Sequence, residues 1–217
     1  MSPCRCLLCD TPSQTGAEVC QICFNELPWL EHSCWRCALP LSNSDLICGA
    51  CLSKPPGFDR TQALWHYLPP VTGLIHALKF QRRQELARPL GEMLAGRLRP
   101  SPLPDCLVPV PLHPTRYGAR GFNQALEIAR PIASRLKIPL CPKLCRRIRI
   151  TPPQSMLAAE ERRRNLRGAF QATTELSGRH IAIVDDVLTT GATAHEVATA
   201  LKRAGAAYVE VWVLARA

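Results

Sequence analysis

Eight of the chain's 12 cysteines fall into four Cys-x-x-Cys pairs, and no other feature restricts the fold as much. The pairs are Cys6 and Cys9, Cys20 and Cys23, Cys34 and Cys37, and Cys48 and Cys51. Each cysteine of the second four lies 28 positions after its counterpart, as do Pro40 after Pro12 and Pro56 after Pro28, which marks an internal duplication. Two thiolates separated by two residues can bind one metal from a tight turn. Two such turns complete a tetrahedral tetrathiolate site, the closed geometry of structural zinc, so each repeat reads as one zinc ribbon. The ten-residue gap inside each repeat is short for a ribbon, so interleaved pairing of the four knuckles and a single occupied site both stay open. Disulfides are the competing reading. Residues 1–52 have little core of their own and are expected to unfold without metal, whose binding supplies on the order of 10 kcal/mol. Cys4 has no counterpart, since position 32 is His32, and reads as a spare thiol. Cys106, Cys141 and Cys145 read as small buried residues.

With 217 residues, 47% of them hydrophobic, the chain can form one medium domain with a real core plus a small appendage. Residues 1–10 lack a basic stretch followed by an apolar one, and no run approaches the roughly 18 apolar residues of a membrane span. The cytosol is the expected compartment. Lys and Arg outnumber Asp and Glu 27 to 17, a net charge of +10, which favours polyanionic partners: nucleic acid, nucleotides or a pyrophosphate. Much of the excess sits in residues 146–149 and 162–167, where a solvated basic face is the plainer explanation.

Residues 53–60, with Pro55-Pro56-Gly57, read as a linker to a second domain over 61–217. Periodicity predicts strands at 61–67 and 107–112 and helices at 71–80, 84–99 and 122–137. Pro131 inside the last of these is expected to bend or break it, at a cost of about 3 kcal/mol. Residues 181–184 and, apart from Glu210, 209–214 are apolar runs typical of strands covered on both faces, with a helix over 194–204 between them. This alternation predicts an α/β fold with a parallel sheet and flanking helices, whose ligands bind beyond the carboxyl ends of the strands.

Asp185 and Asp186 follow the first of these runs, then Val187, Leu188, Thr189, Thr190, Gly191, Ala192 and Thr193 lead into a helix. Gly191 lets the backbone approach an anion, the amides of the first helical turn point at it, and the threonine hydroxyls add donors. A monophosphate fits there. The adjacent carboxylates can accept hydrogen bonds from the vicinal hydroxyls of a ribose, directly or through magnesium-bound water. The plainer alternative is a turn shaped by the two acids and a helix capped by Thr190 or Thr193.

This run resembles the 5-phosphoribosyl-1-pyrophosphate motif of type I phosphoribosyltransferases. Together with the cysteine knuckles, the stretch from Val108 through His113 to Ala125, and Gln154 followed by Arg162, Asn165, Gly168, Ala169 and Phe170, it is similar to the ComF family and, within it, to GntX-like proteins with a doubled zinc ribbon. The resemblance implies a phosphoribosyltransferase-like fold and a role in the uptake or use of DNA. It also implies a pyrophosphate loop over residues 114–121, with Arg116 and Arg120 as cationic partners, and a basic hood within 146–165. Hypoxanthine-guanine type enzymes carry an acidic base where this chain has Thr189, which disfavours purines as acceptors. Three functions follow as expectations. The first is a DNA-handling factor that binds phosphoribosyl pyrophosphate or a related sugar phosphate, with single-stranded DNA contacted by the ribbons and the basic loops; Phe24, Trp29 and Trp35 could stack unpaired bases, with packing inside the ribbons as the competing role for at least some of them. The others are an active phosphoribosyltransferase on an unidentified acceptor, and a zinc-ribbon adaptor without catalysis.

Overall fold

The computed structural model describes residues 5–12, 18–42, 46–100, 102–112, 121–149 and 166–217. Among them the strands are β1 (Arg60–His66), β2 (Cys106–Pro109), β3 (Cys145–Arg147), β4 (Phe170–Ala172), β5 (His180–Leu188) and β6 (Tyr208–Arg216). The helices are α1 (Gln21–Asn25), α2 (Gly49–Ser53), α3 (Val71–Phe80), α4 (Ala87–Arg97), α5 (Gln124–Leu136) and α6 (Ala192–Arg203). Four strands form one sheet in the order β1-β6-β5-β2, with every neighbouring pair parallel. The short β3 and β4 pair separately and antiparallel.

Alternation along the central strands divides the core in two. Ala182, Val184, Trp212 and Leu214 pack under α3, α4 and α5. Ile181, Ile183, Val209, Val211 and Val213 pack under α6 and the β3–β4 pair. The one charge inside β6, Glu210, is 1% exposed. Its carboxylate bonds to His180 Nε2 at 2.9 Å and accepts from Trp212 Nε1 at 2.9 Å and Gln62 Nε2 at 3.1 Å, so the buried carboxylate is fully partnered.

Two expectations about elements change. The strand predicted over 181–184 runs to Leu188, because β6 continues pairing beside it: Asp185 is in register with Val213 and Leu188 with Arg216. The two acids therefore lie within the strand. Nor does α5 stop at Pro131. Ile128, Ala129 and Ile132 anchor the helix in the core on either side of the proline. The ring itself meets α4 at Gly91, where a Cβ would stand only 2.5 Å from Pro131 Cγ and 2.5 Å from the Ile128 carbonyl oxygen. The missing hydrogen bond is offset by close packing of two helices.

The amino-terminal segment is docked on β1, the edge strand. Trp29 and Trp65 form an antiparallel bridge; Leu30 N–H donates to the Leu64 carbonyl at 3.1 Å and His66 N–H to that of Pro28 at 2.8 Å. The residues after Ser53 are equally well held. Gly57 presses on α6, where a Cβ would lie 2.7 Å from Thr199 Oγ1, and its N–H donates to His195 Nδ1 at 2.8 Å. Asp59 accepts from Lys202 Nζ at 2.6 Å and from Val209 N–H at 2.8 Å.

Candidate functional site

At the carboxyl end of β5 the chain turns through Thr189, Thr190 and Gly191 into the 12-residue α6. Gly191 adopts φ 73°, the left-handed region that glycine enters without cost, and stands over the buried Phe58 ring. Thr190 Oγ1 lies 3.4 Å from Ala192 N–H, a weak local contact rather than a strong cap. The first-turn amides of any α-helix lack intrahelical partners and carry its positive end, so α6 turns its positive end toward the loop. Thr189 and Thr190 are exposed beside it.

The two carboxylates part company. Alternation places Asp186 on the α3 side of the sheet, where its Oδ1 pairs with Lys79 Nζ at 2.8 Å, the side chains being 4% and 19% exposed. Its Oδ2 is buried with no hydrogen-bond partner among the described residues. Asp185 lies on the other side, is partly exposed, and accepts the Asp186 N–H at 2.9 Å. Sequence reasoning missed Lys79, although it is the only lysine or arginine in an otherwise largely apolar helix. It also missed Arg216, whose Nη1 donates to the carbonyls of Leu188 at 3.1 Å and Thr189 at 2.8 Å and so fixes the start of the loop. Arg116, Arg120 and most of the expected hood, along with Cys4, lie outside the described residues.

The cysteines gather into two sets, Cys6 with Cys9, Cys20 and Cys23, and Cys34 with Cys37, Cys48 and Cys51. Within each set the sulfurs all lie within 4.8 Å of one another, so pairing is within each repeat rather than interleaved. Cys9 and Cys20 sulfurs are 3.7 Å apart, as are those of Cys37 and Cys48. A zinc ion with Zn–S bonds of 2.3 Å in tetrahedral geometry spaces its sulfurs about 3.8 Å apart, so the donor sets fit the ion. Burial opposes ionisation of Cys6 and Cys34. Even so, the N–H groups of Cys20, Cys9 and Leu8 bring Cys6 down to about 6, and those of Cys48, Cys37 and Arg36 bring Cys34 down to about 7. Cys23 is raised by its neighbours, Cys9 foremost, and Cys51 by burial, so an arriving cation would displace these protons. Both tetrads are sites for structural zinc.

Residues 1–52 match the double zinc ribbon domain, and residues 123–217 match the phosphoribosyl transferase domain. The DNA utilization protein YhgH of Escherichia coli is 41% identical over 221 residues, covering 99% of this chain and 97% of that protein. Competence protein F of Haemophilus influenzae is 34% identical over 98% of this chain and 97% of its own length. The chain belongs to the ComF family. Among solved structures, a glutamine phosphoribosylpyrophosphate amidotransferase from B. subtilis shares 22% identity over 58% of this chain and 25% of that one, with a TM-score of 0.39.

In this ComF-family chain the second ribbon and the β5–α6 loop face each other across a cleft of about 830 Å³. Leu39, Cys37 and Cys51 line it from the ribbon, and Leu188, Gly191 and His195 from the loop and helix. The ribbon aromatics differ in what they offer. Trp29 is packed among Phe24, Trp65 and the Arg97 guanidinium, with centroid distances of 4.8, 5.7 and 4.4 Å. Trp35, under the Arg60 guanidinium at 3.9 Å, remains 48% exposed. Among the described residues no helix is long and apolar enough to cross a membrane.

Proposed function

We propose that this chain serves the uptake or use of DNA, in line with relatives named for DNA utilization and competence, and that its β5–α6 loop binds a 5-phosphoribosyl group, as phosphoribosyl pyrophosphate or a related sugar phosphate. The observation that carries this reading is the left-handed Gly191, which ends the loop that follows the acidic pair and opens a long helix toward it. A phosphate there would meet the first-turn amides of α6 and the hydroxyls of Thr189, Thr190 and Thr193. Asp185, the more accessible acid, would take the ribose hydroxyls and, through water, a magnesium ion that supplies charge neutralisation to a pyrophosphate. Asp186, already paired with Lys79, has one buried oxygen left to accept a hydrogen bond. Arg116 and Arg120 would grip the pyrophosphate, as the family resemblance implies. The +10 charge and the half-exposed Trp35 support contact with single-stranded DNA.

The test is calorimetry of the zinc-loaded protein with phosphoribosyl pyrophosphate and magnesium, alone and with an oligonucleotide present. Saturable binding is expected, and Asp185→Asn should weaken it about tenfold or more, the worth of one hydrogen bond to a charged acceptor. Absence of binding by the wild-type protein would sink the reading. Transfer is a second possibility that the intact loop favours: the bond from C1 to pyrophosphate breaks as an acceptor attacks C1. Magnesium-dependent pyrophosphate release on adding an acceptor would establish it.

A further inference from the structure

The second ribbon is joined to the sheet through three consecutive carbonyls of its first knuckle. The Trp35 carbonyl accepts from Thr61 N–H at 3.0 Å, that of Arg36 from Thr61 Oγ1 at 2.6 Å, and that of Cys37 from Arg216 Nε at 2.9 Å. Cys37 is itself one of the four sulfur donors. The other side of the same guanidinium holds the carbonyls of Leu188 and Thr189, at 3.1 and 2.8 Å. One planar, rigid group therefore spans from the peptide of a metal ligand to the start of the β5–α6 loop. A guanidinium suits this place, since a tetrathiolate holding one divalent cation carries two excess negative charges. The first repeat is attached differently: Leu7 and Leu8 of its knuckle pack against the core under α3, α4 and α5.

We infer that Arg216 is a positioning residue that links zinc retention at Cys34, Cys37, Cys48 and Cys51 to ligand binding at the β5–α6 loop. The inference rests on the reading of that loop as a phosphoribosyl site. A ligand that orders Thr189 and Thr190 holds the carbonyls of Leu188 and Thr189 against Arg216, and Arg216 in turn holds the Cys37 peptide in its metal-binding geometry. Linkage is reciprocal, so zinc at the second tetrad must favour the ligand by the same factor by which the ligand favours zinc.

The experiment uses the zinc-loaded full chain. A chromogenic chelator strips zinc while timed pulses of N-ethylmaleimide label the released thiols, and mass spectrometry reads the two tetrads as separate peptides. Phosphoribosyl pyrophosphate with magnesium should slow labelling of Cys34, Cys37, Cys48 and Cys51 about fivefold, while labelling of Cys6, Cys9, Cys20 and Cys23 stays unchanged. In Arg216→Lys, which keeps the charge but cannot span both carbonyl sets, this selective protection should vanish. Calorimetry on the same sample separates the two ideas. Binding without selective protection of the second tetrad overturns the linkage alone, whereas no binding overturns the reading of the loop and the linkage with it. Full protection in Arg216→Lys overturns the role of Arg216. Should that variant fail to fold, the wild-type comparison of the two tetrads still decides the linkage.

Discussion

Replacing Lys79 with methionine tests the ion pair beneath the loop. Methionine fills most of the volume of the lysine stem but leaves Asp186, 3% exposed, as an uncompensated buried charge whose second oxygen already lacks a partner. Breaking a buried pair from one side costs about 3–5 kcal/mol. The 19% exposure of the lysine side chain lets some water reach the carboxylate, which puts the loss near the lower end, about 3 kcal/mol. With an m-value of about 2–3 kcal/mol/M for a chain of this size, the urea midpoint should fall by about 1–1.5 M. Trp65 and Trp212, both fully buried, report the transition by fluorescence in zinc-replete buffer. Lys79→Met combined with Asp186→Asn removes the charge as well and should recover most of the loss, a coupling that a double-mutant cycle isolates. A single-variant loss below about 1 kcal/mol, or a double variant no more stable than the single, would refute the assignment of a stability-bearing charge pair.

The thiol of Cys145 is pushed up to about 12 by burial, against the pull of the Gln171 N–H. A raised folded-state value means that its stabilising contribution is complete below the unfolded thiol value near 8.5 and is lost as pH rises toward 12, by about 1.4 kcal/mol per pH unit. Cys145→Ala should flatten the fall of the urea midpoint between pH 9 and 10 accordingly; an unchanged slope would show that the thiol does not ionise on unfolding in that range. Removal of zinc by chelation should speed amide exchange at Leu30 and His66, whose bonds join the amino-terminal segment to β1, while Ile183 and Val211 in the sheet interior stay protected. Equal protection of Leu30 and His66 with and without metal would count against a metal-dependent fold for residues 1–52.

What the sequence carried, it carried through local chemistry. Spacing of two residues within each cysteine pair and 28 between repeats is enough to foresee tetrathiolate sites, because both ligands of a knuckle come from one turn. The β5–α6 loop was legible for the same reason, its acids, threonines and glycine being consecutive. Pairing within each repeat was legible as the first reading, but the short gap left interleaving open, and it is the folded knuckles that exclude it. Lys79 and Arg216 lie far in sequence from the groups they hold, and a lysine in the last turn of a helix or an arginine at a strand end carries no local sign of a partner. β3 and β4, of three residues each, are too short for periodicity to register. That Pro131 does not end the helix was not legible, because the contact that offsets it comes from Gly91 on another helix.

The bridge between Trp29 and Trp65 bears on solubility as well as on architecture. β1 is an edge of a four-stranded parallel sheet, and an uncovered edge offers its unpaired N–H and carbonyl groups to any passing strand. Here the amino-terminal segment, whose two tetrads fit zinc, masks that edge. If that segment needs zinc to fold, as its small core implies, scarcity of zinc would uncover an adhesive strand, and self-association of the metal-free protein is the expected hazard.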